Sequence, residues 1–207
     1  MENIRIALVT GGNKGIGLEI VRQLAQAGLE VVLGARDRER AAAAVAALAN
    51  DGLTVRFVHL DLDDPDSIEA AAAWIDGAYG RLDSLVNNAG IFDFADATPG
   101  KASIEAVRRV MEVNFIGTLA VTQAMLPLLG RSAEARIVNV SSSLGSLTLN
   151  GDPSSPFYAQ RFIGYNASKA ALNMLTVQLN EELKETGIRI NSVSPGFVKT
   201  DLTGYGT

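Results

Sequence analysis

Residues 4–17 read Ile4-Arg5-Ile6-Ala7-Leu8-Val9-Thr10-Gly11-Gly12-Asn13-Lys14-Gly15-Ile16-Gly17. The first half is a short apolar run of the kind that forms buried parallel strands, and residues 18–25 then place apolar side chains at helical spacing. Such a glycine loop suits diphosphate binding, because glycines allow close backbone approach and a helix N-terminus offers N–H groups and partial positive charge. The Gly-x-x-x-Gly-x-Gly spacing differs from the commoner Gly-x-Gly-x-x-Gly fingerprint. A glycine-rich turn without a ligand is the alternative, and the strand–helix setting argues against it.

Apolar runs alternate with helical patterns along the rest of the chain. The predicted strands are Ile4–Thr10, Glu30–Ala35, Thr54–Leu60, Leu82–Asn87, Arg136–Val140 and Ile188–Val193. The predicted helices are 16–28, 37–51, 66–80, 103–128 and 163–186. This alternation predicts one α/β domain over residues 1–207, a doubly wound, Rossmann-like fold whose parallel sheet carries helices on both faces. Ligands of such sheets bind beyond the carboxyl ends of the strands, where the motifs described below also fall.

Composition narrows the function classes. The chain has 207 residues, 47% hydrophobic and 20% charged, as in single globular domains. Its net charge of −5 offers no basic stripe for nucleic acid. It contains no cysteine and one histidine, His59 in an apolar strand pattern, so we expect no metal site. Without a secretory leader or a long apolar span, a cytoplasmic protein with no membrane partner is expected.

Tyr165 and Lys169 stand four residues apart at the start of an apolar-periodic run. One helical turn therefore places both side chains on the same face. A nearby cation favours the phenolate over the phenol, whose ordinary pKa is about 10. The pair thus suits general acid–base catalysis. Because Tyr-x-x-x-Lys also occurs by chance, a partly buried tyrosine near a surface lysine is the alternative.

With further motifs, the chain resembles the short-chain dehydrogenase/reductase superfamily from Ile4 to about Thr203. The matching residues, in the family's order, are Thr10-Gly11 through Gly17, Asp61-Leu62, Asn87-Asn88-Ala89-Gly90, Asn114, Ser142, Tyr165 to Lys169, and Pro195-Gly196. The glycine loop and Gly34-Ala35-Arg36-Asp37 look most like the NADPH-dependent carbonyl reductase branch.

The second predicted strand bears on the cofactor. Ala35 supplies no carboxylate for a ribose hydroxyl, whereas Arg36 and Lys14 are placed to clamp a 2′-phosphate, which favours NADP(H). Arg36 as a solvated helix-start charge is the alternative. The cofactor-binding residues implied are Gly11, Asn13, Lys14, Gly15, Ile16, Gly17, Arg36, Asp61, Leu62, Asn88, Ala89, Gly90, Tyr165, Lys169, Pro195, Gly196, Val198 and Thr200.

The resemblance also assigns individual roles. Asp61 would contact the adenine amino group, although the segment after it also looks like a helix start. Pro195-Gly196 and Thr200 would bracket the nicotinamide carboxamide, and Asn87 would hold neighbouring loops. Ser142, selected from three serines by Gly145 three positions later, would hydrogen-bond the substrate carbonyl.

Tyr165 would transfer the proton, and Lys169 would lower its pKa, hold the nicotinamide ribose and pass protons onward. Asn114 would hold a water that links Lys169 to solvent, and a surface asparagine is the alternative reading.

These assignments imply hydride transfer between NADP(H) and a carbonyl or secondary alcohol, as in carbonyl reductases. Two rivals stay open: a non-catalytic NADP(H)-sensing or scaffold protein on the same fold, and a sugar-nucleotide epimerase or dehydratase, which shares the tyrosine and lysine.

The sequence departs from the usual family pattern in two places. The stretch of about 145–163 is longer than usual, and carbonyl reductases with such an insertion are associated with a monomer, which we therefore favour over a homo-oligomer. It would line the substrate pocket through Phe157, Tyr158 and Phe162, or else form a disordered surface insertion. Because the sequence ends at Thr207, we also expect the family's last helix and strand, which help close the pocket, to be missing.

Overall fold

The fold is a six-stranded parallel sheet in the order β3-β2-β1-β4-β5-β6, seen in a computed structural model that describes residues 4–200. The strands are β1 (Ile6–Thr10), β2 (Glu30–Ala35), β3 (Val55–His59), β4 (Ser84–Asn87), β5 (Arg136–Val140) and β6 (Arg189–Val193). The helices are α1 (Gly15–Gln26), α2 (Arg38–Asn50), α3 (Pro65–Tyr79), α4 (Ile104–Met111), α5 (Thr118–Leu129), α6 (Leu147–Gly151) and α7 (Ile163–Glu182). The predicted doubly wound α/β class is confirmed. Residues 201–207, and with them the expectation about the chain's end, lie outside the described part.

The strand order reverses at β1, which pairs with β2 on one side and with β4 on the other. The chain therefore crosses from β3 at one edge to β4 beside the centre of the sheet. The loops that follow β1 and β4 both line a crevice at the carboxyl edge. Doubly wound sheets bind their ligands in such a crevice.

Strand β1 is buried along its whole length, because helices cover both faces of the sheet. Alternate side chains of a strand point to opposite faces. Leu8 accordingly packs in one core cluster with Leu85 and Met125, and Val9 packs in the other with Val21. This explains why the central strands read as continuous apolar runs rather than as alternating ones.

The amino edge of the sheet is held by the buried carboxylate of Asp83. It accepts hydrogen bonds from the Ile6 N–H at 2.7 Å and from the Ser132 hydroxyl at 2.6 Å. Arg81 adds an ion pair at 3.2 Å. Although burial by itself raises the pKa of Asp83, these hydrogen bonds and the Arg81 charge hold it below its ordinary value.

The helix predicted over residues 103–128 is interrupted by a π-helical turn at Glu112–Gly117, between α4 and α5. Gly117 explains the close packing at this turn, since an added Cβ would lie 2.2 Å from the Leu62 carbonyl oxygen. By length and composition Ile104–Leu129 would reach across a bilayer. In this fold, however, its apolar side chains Val121 and Met125 are fully buried in the core.

The stretch of 145–163 is ordered, so the disordered alternative is wrong. It contains the short helix α6, and the Asn150 side chain donates to the carbonyl oxygens of Leu144 and Ser146. Asn166 on α7 donates to Asn150 Oδ1 at 2.9 Å and to the Gln160 carbonyl at 2.8 Å. These hydrogen bonds of the asparagine side chains attach the segment to the first turns of α7.

Candidate active site

The glycine loop connects the carboxyl end of β1 to α1. Gly11 and Gly15 have φ angles of +64° and +53°, which residues other than glycine rarely adopt. A Cβ on Gly17 would lie 2.3 Å from the Gly11 carbonyl oxygen, so this position also requires glycine. Within the described residues, the side chain of the N-cap residue Lys14 does not cap α1. The N-terminus of α1 therefore points backbone N–H groups at the crevice, which fits a diphosphate.

Thr10 and Asn88 fasten this loop to the end of β4. The Thr10 hydroxyl accepts hydrogen bonds from the backbone N–H groups of Asn88 and Ala89 at 3.0 and 2.9 Å. The Asn88 side chain donates in return to the carbonyl oxygens of Thr10 and Gly11. Its amide is thus committed to the two loops, which brings the backbone of the predicted Asn88-Ala89-Gly90 segment to the crevice.

The far end of the crevice is lined by Ala35, Arg36, Asp61 and Leu62, as predicted for the adenosine side. Asp61 Oδ1 accepts from the Asp63 N–H, whereas Asp64 caps α3 through the Asp66 N–H. Asp64 therefore begins the helix, whereas Asp61 lines the cleft and its contact with adenine stays a prediction.

Ser142, Tyr165 and Lys169 lie together at the other end. Ser142 follows β5, accepts a hydrogen bond from the Leu144 N–H at 3.2 Å and forms another with the Tyr165 hydroxyl. Lys169 lies one turn beyond Tyr165 on α7, and its Nζ is 5.7 Å from the tyrosine ring centroid. That Nζ donates to the Val140 carbonyl oxygen at 2.8 Å. The predicted serine, tyrosine and lysine are thus brought to one place.

The pKa of Tyr165 differs from the prediction that Lys169 lowers it. Burial raises the pKa of the tyrosine, and the hydrogen bond from Ser142 opposes this only in part. Lys169 is itself 4% exposed, and burial lowers its pKa to about 8. Because burial disfavours the charged form of both groups, the hydroxyl holds its proton tightly in this structure.

Asn114 lies in the π-helical turn and is 1% exposed, so the surface reading is wrong. Its Oδ1 accepts from the Ile91 N–H at 2.7 Å, and its Nδ2 donates to the Ile91 carbonyl at 2.9 Å and to the Ser168 hydroxyl at 3.1 Å. Asn114 therefore clamps the loop after β4 to α7. A Cβ on Gly90 would lie 3.2 Å from Asn114 Oδ1 and 3.6 Å from Lys169 Nζ, so Gly90 lies between the two. The water relay stays a prediction.

All these features face one cleft of about 760 Å³. Every residue predicted to bind the cofactor lines it, from the glycine loop to Thr200, together with Ser142. Asn114 does not line it and lies behind Gly90. The cleft thus joins the glycine loop to the Tyr165–Lys169 pair.

An aromatic wall lies beside Tyr165, and of its three phenylalanines the sequence analysis predicted only Phe162. The Phe92 ring lies 5.8 Å from the Tyr165 ring, 5.0 Å from Phe162 and 5.5 Å from Phe94, measured between centroids. All three phenylalanines line the cleft. Phe92 and Phe94 lie within ten residues of the Asn-Asn-Ala-Gly motif, just beyond a strand's carboxyl end, and this position was the available signal for them.

The predicted pocket wall is only partly right. Phe162 lines the cleft, whereas Phe157 and Tyr158 do not. Tyr158 instead stacks under the Arg161 guanidinium at 4.3 Å. Asp96 was also missed: it lines the cleft, is 5% exposed and binds the start of α7.

The sequence matches the family model described as short chain dehydrogenase over residues 5–206. It is 38% identical to carbonyl reductase (NADPH) 1 of Homo sapiens, in an alignment covering 97% of this chain and 84% of that protein. The fold is similar to salutaridine reductase from Papaver somniferum, with a TM-score of 0.83 and 30% identity over 98% of this chain and 89% of that one. It is also similar to a short chain dehydrogenase from Shigella flexneri complexed with NADP, with a TM-score of 0.82 and 30% identity over 95% and 78% of the two chains.

Proposed function

The chain belongs to the short-chain dehydrogenase family, and from this premise we propose that Tyr165, Ser142 and Lys169 carry out its reaction. The protein is an NADP-dependent oxidoreductase that acts on carbonyl or alcohol substrates, as its carbonyl reductase relatives indicate. The observation that carries the residue assignment is the shared cleft, which joins the glycine loop to the Ser142–Tyr165 hydrogen bond.

The chain's own residues fit NADP(H). The N-terminus of α1, which the Lys14 side chain does not cap, suits the diphosphate, and Arg36 suits a 2′-phosphate because Ala35 places no carboxylate at the end of β2. When bound, the nicotinamide supplies the hydride in reduction and accepts it in oxidation.

Tyr165 acts as the general acid in the reductive direction. Its pKa lies above the ordinary value of about 10, so the hydroxyl is protonated at neutral pH and has a proton to give as negative charge develops on the carbonyl oxygen, although the raised pKa by itself makes it a weaker acid. Ser142 holds that oxygen beside Tyr165 by hydrogen bonding. Donors fixed where charge develops are usually the largest contribution to catalysis.

Lys169 then supports the tyrosine by returning its proton. A pKa of about 8 means that both protonation states are accessible near neutral pH, which suits a relay group. Asn114 holds the loop and helix on either side of Gly90, and we retain it as the residue that positions a water for this relay.

The assignment is tested with Tyr165→Phe, which removes the transferable proton and keeps the ring. Turnover is followed as loss of NADPH absorbance with a panel of aldehydes, ketones and quinones. We expect turnover to fall to background while the dissociation constant for NADPH is unchanged. Retained turnover in Tyr165→Phe would refute the mechanism. Tight NADPH binding without turnover by the wild type on any panel member would favour the sensing protein.

We also propose that the protein is a cytoplasmic monomer with no nucleic acid or membrane partner. Cell fractionation and sedimentation equilibrium test the location and the oligomeric state.

A further inference from the structure

The start of α7, which carries Tyr165, is capped in an unusual way. The first backbone N–H groups of a helix have no partner within the helix, and the N-cap side chain normally accepts from the second or third of them. The N-cap residue here is Phe162, whose side chain has no acceptor. A different part of the chain therefore has to satisfy these donors.

That part is the loop after β4. Asp96 Oδ1 accepts from the Gly164 N–H at 2.9 Å, and Asp96 Oδ2 accepts from the Tyr165 N–H at 2.8 Å. The Ala97 carbonyl accepts from the Ile163 N–H at 3.0 Å. All three orphan donors of the first turn are thus bound by two consecutive residues, nearly 70 positions earlier in the sequence.

The approach of Asp96 to the helix is close and requires glycine. A Cβ on Gly164 would lie 3.1 Å from Asp96 Oδ2 and 3.1 Å from Val107 Cα. The carboxylate also lies where the helix dipole favours a negative charge. Asp96 is 5% exposed, and each of its carboxylate oxygens accepts from a backbone donor of α7.

The loop that carries Asp96 is anchored independently. Asp93 Oδ1 accepts from the Ala95 N–H. Asp93 Oδ2 accepts from both Nε and Nη2 of Arg109 on α4, at 3.0 and 2.6 Å. Phe92 of the same loop packs against the Tyr165 ring. One fixed loop thus contacts the catalytic tyrosine at both its backbone and its ring.

We propose that Asp96 is a positioning residue that sets the location of the Tyr165 hydroxyl by capping α7 from outside the helix. The proposal rests on the proposed function only for the role of Tyr165. Without the carboxylate, two backbone donors lose their partners and the first turn of α7 is free to shift. A displacement of about 1 Å costs on the order of 100-fold in rate, so loss of the cap should affect turnover rather than cofactor binding.

Asp96→Ala and Asp96→Asn test this directly. We expect kcat to fall about 10- to 100-fold in Asp96→Ala, with the NADPH dissociation constant unchanged. Asp96→Asn keeps one acceptor and turns its NH₂ group toward the other donor, so its loss should be smaller. Asp64→Asn is the matched control, because Asp64 caps α3 through the Asp66 N–H in the way that Asp96 caps α7, and among residues 4–200 no hydrogen bond or ion pair joins Asp64 to α7. It should leave kcat unchanged.

A readout without turnover distinguishes positioning from general damage. In the cofactor-free protein, amide hydrogen exchange at Gly164 and Tyr165 should accelerate in both Asp96 variants, with the β-strand amides unaffected. Uniformly faster exchange together with weaker NADPH binding would mean a merely structural role and would overturn the proposal. Unchanged kcat in Asp96→Ala would do so as well.

Gly164→Ala is an independent test, because the protein keeps the Asp96 carboxylate while the added methyl group displaces it from the start of α7. Alanine favours helices more than glycine does, so an account based on helix stability alone predicts no loss. We expect kcat to fall. If the wild type shows no turnover at all, the proposed function fails, while local exchange at Gly164 and Tyr165 still decides whether Asp96 caps the helix.

Discussion

The two central residues of the site show how burial, rather than a neighbouring charge, sets protonation. Lys169 was predicted to lower the pKa of Tyr165, yet its Nζ donates to the Val140 carbonyl and lies 5.7 Å from the ring centroid. Burial raises the pKa of the tyrosine and lowers that of the lysine to about 8. Both shifts favour the neutral form, so in the cofactor-free protein Tyr165 is protonated but is a weaker acid than an ordinary tyrosine.

The first prediction concerns this ionisation. The phenolate absorbance of Tyr165, obtained as the difference between wild type and Tyr165→Phe in the cofactor-free protein, should develop only above the ordinary tyrosine pKa of about 10. The Ser142 hydrogen bond lowers this pKa, so Ser142→Ala should move the transition to still higher pH. Circular dichroism defines the pH range in which the fold is intact. A transition near neutral pH within that range would contradict the shift.

The second prediction concerns cofactor choice at the end of β2. In Ala35→Asp, a carboxylate would repel the 2′-phosphate and accept a bond from a ribose hydroxyl. The ratio of Michaelis constants should move toward NADH by about tenfold or more, where tenfold corresponds to about 1.4 kcal/mol. Arg36→Ala is the companion variant, since it should weaken NADPH binding and leave NADH binding unchanged. An unaltered preference in both variants would show that the phosphate lies elsewhere.

At the scale of the elements, strands and motifs were predictable where local patterns carry the information. The glycine loop, Ser142 and the pair on α7 were identified because strand ends, turns and helical spacing are readable from neighbours in sequence. The π-helical turn was not, since the apolar periodicity of 103–128 runs through it unbroken. The close contact within this turn joins Gly117 to Leu62, more than fifty residues earlier, and local patterns carry no information on such a pair. The contact of Asp96 with α7 was not predicted for the same reason, because its hydrogen-bond donors lie nearly 70 residues away in the sequence.

A third prediction tests the packing of Gly117 in the π-helical turn, with a glycine of α3 as the control. In Gly117→Ala the new Cβ would lie 2.2 Å from the Leu62 carbonyl oxygen, which is backbone and cannot turn away. We expect a loss of about 1–3 kcal/mol in the free energy of unfolding, together with weaker NADPH binding because Leu62 lines the cleft. Gly77 on α3 has no atom within 4 Å of such a Cβ, so Gly77→Ala should stabilise by roughly 0.5–1 kcal/mol. Urea denaturation measures both, and equal effects would refute the packing argument.

Across the whole molecule, the carboxyl and amino ends of the strands, which form the carboxyl edge and the amino edge of the sheet, have different roles. The carboxyl edge collects the glycine loop, Ser142 and the end of β4 around the cleft. The amino edge is held by Asp83, which links the start of β1 to the loop before β5 through Ile6 and Ser132. Changes at the amino edge should therefore alter stability and leave the chemistry intact, and this separation can be measured.

The last prediction follows from the lowered pKa of Asp83. A carboxylate whose folded pKa is depressed contributes stability above its unfolded pKa, about 3.9, and loses that contribution as the pH falls through the folded value. Asp83→Asn leaves buried donors poorly paired, so it should cost about 1–3 kcal/mol at pH 7. The difference from wild type should shrink as the pH approaches 3, measured by urea denaturation, because protonation then removes the same charge from the wild type. The kcat and the NADPH dissociation constant at pH 7 should be unchanged, and a variant that lost activity while keeping its stability would show that the amino edge also serves catalysis.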